Sequence, residues 1–329
     1  MSIENCSDSP DALLSLIEAV KLCYQKPPAT KKRGREPDFS DLSFLLLAVV
    51  AVVTKTFSDS ALHRLLLQDK NLLASLEFSR VPHRTRLGKR LKSLLAVAEE
   101  QIAHLGKTIL AEVSVAANHP QVSATDGRMY QAVGPKWHKK HRLEAVIPSG
   151  LRNVDRESKW SKSGYRGWVQ GYRLVMQTLV FPEPVPLFAV WRENQLNEAK
   201  IALEELEKGR LQVTEVMLGD TSFGKADFSP AYQKAGGYVL TPRQLPKKNR
   251  SWKNDLYDYR KETIELLFQR IIQAFDITSC PVKGEAKNAA VVLATVWAYQ
   301  VCWLNNYRSK KNPADVKEHI ENARWRIRL

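Results

Sequence analysis

The sequence predicts an α/β protein, a mixed sheet flanked by helices, preceded by an all-helical N-terminal part. Three observations carry this. Up to about residue 116 apolar residues recur at three- and four-residue spacing, as in Leu87, Leu91, Leu94 and Leu95. From "NHPQVSATDGRMY" onward the texture turns to aromatic and β-branched runs broken by Gly and Pro. Beyond "VPLFAVW" extended and helical stretches alternate, which is the pattern of an α/β layer.

A short helix is expected from Pro10 to Tyr24, followed by the basic, proline-rich connection "KPPATKKRGREPD" from Lys26 to Asp38. The run "LSFLLLAVVAVV" at 42–53 is shorter than the ~20 residues that cross a bilayer and reads as a buried helix. "SDSALHRLLLQDKNLLASLEF" and "VPHRTRLGKRLKSLLAVAEEQIAHLGKTILAEV" complete the helical part. Pro120 opens an extended stretch expected to end in Asp126, and "YRGWVQGYRLVMQTLV" has strand-turn-strand composition about Gly171. A helix in "NEAKIALEELEKG", a strand in "QVTEVMLGD", a helix in "DFSPAYQKAG" and a strand in "YVLTP" follow. The helix from about Leu256 to Phe275 has its apolar stripe at Ile264, Leu267, Phe268, Ile271 and Phe275, with Glu265 at the stripe's edge. The expected division is a helical domain at 1–116, an α/β domain at 117–308 and a basic tail at 309–329.

At 329 residues and 44% hydrophobic content the chain can bury a sizeable core, which excludes disorder of the whole. Lys and Arg outnumber Asp and Glu by 50 to 35, and the resulting +15 attracts a polyanion, nucleic acid ahead of an anionic membrane surface. Cysteines at 6, 23, 280 and 302 form no C-x-x-C pair, so neither a zinc site nor a disulfide scaffold is indicated, and a reducing cytoplasm fits. The acidic start, Ser2 to Asp11, is the reverse of a signal peptide. The only candidate surface anchor, "NARWRIRL", is short, and no membrane partner is expected.

The chemistry sits in the acids. In "EVMLGDTSFG" Asp220 stands where a strand finishes; taken alone it reads as a turn-former or helix cap ahead of a ligand. Asp126 and Glu265 supply two partners from other elements, and the three could converge at the carboxyl edge of one sheet. Mg²⁺ is a hard ion that takes oxygen ligands, and two such ions about 4 Å apart stabilise both the attacking and the leaving oxygen of phosphodiester cleavage. Asp155, Asp227 and Asp255 read as surface acids.

"SATDGRMY", "WSKSGYRGWVQGYRL", "VMLGDTSFGKADFSPAYQKAGGYVLTPR", "YDYRKETIELLFQRI" and "KGEAKNAAVVLATVWAYQVCWLNN" follow one another in an order that resembles the DDE insertion-sequence transposases, over roughly 38–307. The resemblance implies a ribonuclease-H-like catalytic domain that cleaves transposon ends and joins them to target DNA. It implies Asp126, Asp220 and Glu265 as the ligands of two Mg²⁺ ions, with Mn²⁺ able to substitute. Its implied partners are terminal inverted repeats, target DNA and a second copy of the chain in the synapse, in a bacterial, nucleoid-associated setting. The family's third acid often sits in a Tyr, two residues, Arg, three residues, Glu, six residues, Lys pattern. Anchored on Glu265, those places fall on Asp258, Lys261 and Ile272, and Glu262 is the other candidate for the third acid. A DNA-binding descendant without activity is the alternative function.

Basic residues divide into two groups. "VPHRTRLGKRLKSL" reads as the second helix of a helix-turn-helix with Arg84, Arg86, Lys89 and Arg90 toward DNA, or as a solvated helix face. "PRQLPKKNRSWKND" places Lys247, Lys248 and Arg250 beside the third-acid helix, whose Arg260 and Lys261 complete the expected DNA-binding set. Trp252 reads as loop packing ahead of base stacking, and the histidines of "PKWHKKHR" as members of a charged loop.

Overall fold

The computed structural model describes residues 12–27, 38–116, 120–137, 139–144, 146–164, 166–224 and 227–325. Most of the connection expected at Lys26–Asp38 and the last four residues of "NARWRIRL" lie outside these. The first six helices are α1 (Ala12–Cys23), α2 (Asp41–Val53), α3 (Asp59–Gln68), α4 (Lys70–Ser75), α5 (Arg84–Lys92) and α6 (Leu95–Ala116). Side chains of Ser40, Ser58 and Asp69 accept the amides of Ser43, Ala61 and Leu72, which fixes the starts of α2, α3 and α4. The periodic stretch from Ser58 therefore splits at Asp69. Helix α2 is buried at every position from Ser43 to Val53, as its unbroken apolar run requires.

The sheet is built from β1 (Val122–Gln131), β2 (Lys159–Ser163), β3 (Gly167–Leu179), β4 (Val185–Glu193), β5 (Val216–Leu218) and β6 (Tyr238–Leu240), with the short α7 (Lys139–Leu143) between β1 and β2. Strand β1 lies antiparallel to β3 on one side and parallel to β5 on the other. Strand β4 is antiparallel to β3, and β6 is parallel to β5. The order β4-β3-β1-β5-β6, with β2 on the first half of β3, is the ribonuclease-H-like topology. Two expectations are corrected here. Strand β1 does not end at Asp126 but runs on to Gln131. Gly171 is no turn: it lies inside β3, where a Cβ would stand 1.8 Å from the Tyr130 carbonyl oxygen, so the close approach of β1 demands glycine.

Alternate residues of the strands feed two layers. Leu174, Met176, Leu187, Trp191, Leu218 and Leu240 join a core with α6 and α12 (Glu285–Arg308), while Val175, Phe188, Val190, Met217 and Val239 pack under α8 (Glu198–Glu207) and α9 (Phe228–Lys234). Gly106 lets α6 touch β4, since a Cβ there would stand 1.8 Å from the Leu187 carbonyl oxygen. The first core is continuous from Leu13 to Ala323. The helices before residue 116 thus share their apolar interior with the sheet and α12. The expected tail is also packed: α13 (Val316–Trp325) buries Val316, Ile320 and Ala323. Between β6 and α12 run α10 (Trp252–Arg260), a π-helical turn at Lys261–Glu265 and α11 (Leu266–Phe275); all five expected stripe residues are buried, Ile264 in the turn and Leu267, Phe268, Ile271 and Phe275 on α11. Among the described residues no helix is long and apolar enough to cross a membrane.

Candidate active site

Neighbouring parallel strands set the first two acids side by side. Ala124 of β1 pairs with Leu218 of β5, and both are wholly buried toward the α6/α12 layer. Asp126 stands two residues further along β1, so the period-two alternation aims it at that face, and Asp220 stands two residues past Leu218, just beyond the end of β5. Strand β5 stops at Leu218 while β1 continues, which leaves Asp220 at a strand mouth and Asp126 on the strand flank beside it. The Oδ1 of Asp220 accepts the Ser222 amide at 2.7 Å and the Ser222 hydroxyl at 2.6 Å. The Oδ1 of Asp126 accepts the Gly127 amide at 2.9 Å.

The helix pair α10–α11 crosses this face. Arg260 Nη2 lies 3.0 Å from Asp126 Oδ2, with the two side chains 15% and 25% exposed. The Tyr257 hydroxyl donates to the Gly219 carbonyl at 3.0 Å, tying the helix to the mouth of β5. Glu265 is exposed at the end of the π-helical turn. Burial lifts the Asp126 carboxyl above the usual carboxylate range against the pull of Arg260 and the Gly127 amide, and the charges of Asp220 and Glu265 add to the lift. Glu262, the other candidate for the third acid, is exposed as well.

The pattern of the resembled family, anchored on Glu265, falls on Asp258 and Lys261, whereas the side chains that reach Gly219 and Asp126 are Tyr257 and Arg260. A π turn closes over five residues and absorbs one residue more than an α turn. Lys261–Glu265 is such a turn, so Tyr257 and Arg260 stay at the site while Glu265 comes one place late. Glu198 was missed altogether. It opens α8 behind the N-cap Asn197, is 14% exposed, and its Oε1 lies 2.9 Å from Arg173 Nη1. A Cβ at Gly127 would come within 2.4 Å of that same oxygen. Burial, then the charge of Asp126, push the Glu198 carboxyl up to about 7 against the pull of Arg173. Its signal in the sequence was only that of an acid in a helix's first turn, where the helix dipole alone justifies one.

The expected DNA contacts are distributed unevenly. Arg260 is engaged with Asp126, and Lys261 is exposed beside it. Lys247 and Lys248 are exposed, while Arg250 pairs with Asp255 at 2.6 Å and Asp258 at 2.5 Å. On α5, Arg84 and Lys89 are exposed. Arg86 pairs with Asp38 at 2.7 Å and covers the Phe39 ring, and Arg90 pairs with Asp41 and covers Phe44. Asp155 is no surface acid: it is 2% exposed, accepts the Tyr172 hydroxyl at 3.1 Å and the Gly284 amide at 2.9 Å, and pins the start of α12 to the sheet.

Carboxylates are the oxygen donors that a hard cation takes. Among the described residues, however, no three His, Cys, Asp or Glu side chains are gathered closely enough to hold one ion. Arg260 supplies the counter-charge at Asp126 instead.

No protein-family model and no curated protein matches the sequence. Among solved structures, the chain is similar to a piggyBac transposase synaptic complex with hairpin DNA, with a TM-score of 0.42 and 10% identity over 97% of this chain and 77% of that one. It is similar also to the Mos1 strand transfer complex, with a TM-score of 0.31 and 13% identity over 98% of this chain and 96% of that one. A mariner Mos1 paired end complex with Mg gives a TM-score of 0.29 and 12% identity over 92% and 81% of the two chains.

Proposed function

We propose that the chain is a DDE-type DNA transposase, which cleaves transposon ends and transfers the freed strand to target DNA. The observation that carries this is that Asp126 and Asp220 each follow by two residues the Ala124–Leu218 pair of the adjacent parallel strands β1 and β5, with Arg260 at the end of α10 lying 3.0 Å from Asp126. Asp126, Asp220 and Glu265 would hold two Mg²⁺ ions, with Mn²⁺ as a substitute. Bound there, the ions would supply an acidified water and a charge against the developing phosphorane. Tyr257 holds the helix to the mouth of β5, and the exposed Lys247, Lys248 and Lys261 would supply positive charge for DNA phosphates. The helical part up to residue 116 would add duplex contacts through Arg84 and Lys89. A twofold pair of chains would hold two ends in the synapse, since one site handles one end.

The test is metal-dependent nicking of DNA that carries the ends of the encoding element. Asp126→Asn, Asp220→Asn and Glu265→Gln should each abolish nicking and leave end binding intact. Nicking by Asp126→Asn or Asp220→Asn at the wild-type rate would overturn the reading. A dead Glu262→Gln beside an active Glu265→Gln would move the third ligand.

A further inference from the structure

Arg128 follows Asp126 by two residues on β1, so the alternation of the strand puts both side chains on one face. Its guanidinium carbon lies 5.8 Å from the ring centre of Tyr130, the next residue on that face. Arg128 is half-buried, yet among the described residues it has no carboxylate partner, and its buried Nε meets no hydrogen-bond acceptor. The other guanidiniums of this region are paired: Arg173, opposite Met129, lies 2.9 Å from Glu198, and Arg260 lies 3.0 Å from Asp126. A second unpaired guanidinium reaches the same stretch of β1. Arg166, exposed in the turn between β2 and β3, donates from Nη1 to the Met129 carbonyl at 3.2 Å, and among the described residues it too has no carboxylate partner. Burial lowers the Arg128 guanidinium from its ordinary value against the pull of Tyr130, and the charge of Arg166 lowers it further. Arginine stays protonated all the same. Two like charges thus stand in each other's field, one of them half out of water, with no anion to offset them.

We propose that Arg128 and Arg166 form a phosphate clamp on the second half of β1, which grips the DNA backbone beside Asp126 and Asp220. The choice of DNA as its partner rests on the transposase reading given above, and the clamp needs no bound cation. An uncompensated buried charge costs stability in the free chain. Phosphate removes that cost, because its oxygens match the fork of a guanidinium two at a time. Such contacts fix the position of the duplex and carry no sequence information. Arg128→Gln and Arg166→Gln remove the charge, whereas Arg128→Lys keeps the charge and removes the fork.

The experiment is fluorescence anisotropy of the full chain over a series of salt concentrations, with two labelled duplexes of equal length. One carries the ends of the encoding element and the other a scrambled sequence. Arg128→Gln and Arg166→Gln should each reduce the slope of log affinity against log salt by about 0.9, on both duplexes alike. The DNA-free Arg128→Gln chain should melt at an unchanged or raised temperature, since an uncompensated charge has gone. Arg128→Lys should keep the slope and bind more weakly. A wild-type slope in Arg128→Gln overturns the clamp, and a lowered melting temperature beside it would mean that Arg128 only covers Tyr130. If Arg128→Gln does not fold, the exposed Arg166→Gln decides alone. A loss confined to the element ends would make these side chains readers of bases and would overturn the clamp as well. Nicking by Asp220→Asn at the wild-type rate, with the slope changes intact, strikes the transposase reading alone. A wild-type chain whose affinity ignores salt strikes both.

Discussion

Arg260 and Asp126 form a 3.0 Å ion pair at the place where a divalent cation is expected to bind. The guanidinium and the cation compete for one carboxylate oxygen, so each must be weaker while the other is present. By linkage, anything that draws Arg260 away, a DNA phosphate above all, should tighten cation binding, and cation should in turn release Arg260. Arg260→Gln should therefore bind Mn²⁺ more tightly than wild type in the absence of DNA, by about tenfold if the competition amounts to 1.4 kcal/mol. Calorimetric titration of the free protein checks it. Weaker binding in the variant would show that Arg260 builds the cation site and does not compete for it.

The π-helical turn at Lys261–Glu265 makes a second expectation. Arg260 and Glu265 are five residues apart and lie across one π turn; in an α-helix the equivalent pair is four apart. Deleting Lys261 should convert the turn to regular α-helix and still present Arg260 and Glu265 on one face. Nicking by the deletion variant should stay well above that of Glu265→Gln. If the two are equally inactive, the inserted residue sets the geometry of the third acid.

That inserted residue is also where the sequence was least legible. The buried stripe from Leu267 to Phe275 was readable because it lies in the regular α-helix after the turn, with Ile264 buried just before it in the turn itself. Counting backward through the π turn at α spacing shifts everything by one, which is how Asp258 and Lys261 took the places of Tyr257 and Arg260. Asp220 was readable because it follows the short apolar run Val216–Leu218, and Asp126 because it lies in the extended stretch that Pro120 opens, but the full length of β1 was not: its second half is only partly buried and lacks a clear alternation. Gly171 looked like a turn because close backbone approach and chain reversal both select glycine. Asp155 and Glu198 were invisible for a common reason. Their partners lie far off in sequence, Tyr172 and Gly284 for one and Arg173 for the other, so no local pattern marks them.

The tyrosines of the shared core give a pH expectation. Burial pushes Tyr130 and Tyr299 up to about 12 and raises Tyr172, whose hydroxyl donates to the buried Asp155. A phenol of the unfolded chain ionises near 10, so between about 10 and 12 the folded state holds protons that the unfolded state has lost. This contribution is whole below about pH 10 and is lost as pH rises through about 12, so stability should fall across that window. Spectrophotometric titration at about pH 11 should find fewer than the chain's 10 tyrosines ionised until denaturant is added. Ionisation of all of them in the folded protein would contradict the burial of these three.

The final expectation separates DNA contacts from structural charges on α5. Arg86 and Arg90 are committed to Asp38 and Asp41 and lie over Phe39 and Phe44, so they fasten α5 to the start of α2. Arg84 and Lys89 are exposed on the same helix. Each phosphate neutralised adds about 0.9 to the slope of log affinity against log salt on duplex DNA. Arg84→Ala and Lys89→Ala should then each reduce the slope by about that amount and leave the melting temperature alone. Arg90→Ala should do the reverse, lowering the melting temperature through the loss of its aspartate and ring contacts while changing the slope little. A double Arg84/Lys89 substitution with an undiminished slope would move the duplex contacts off α5, and the same measurement on Lys247→Ala and Lys248→Ala would then show whether the loop before α10 carries them.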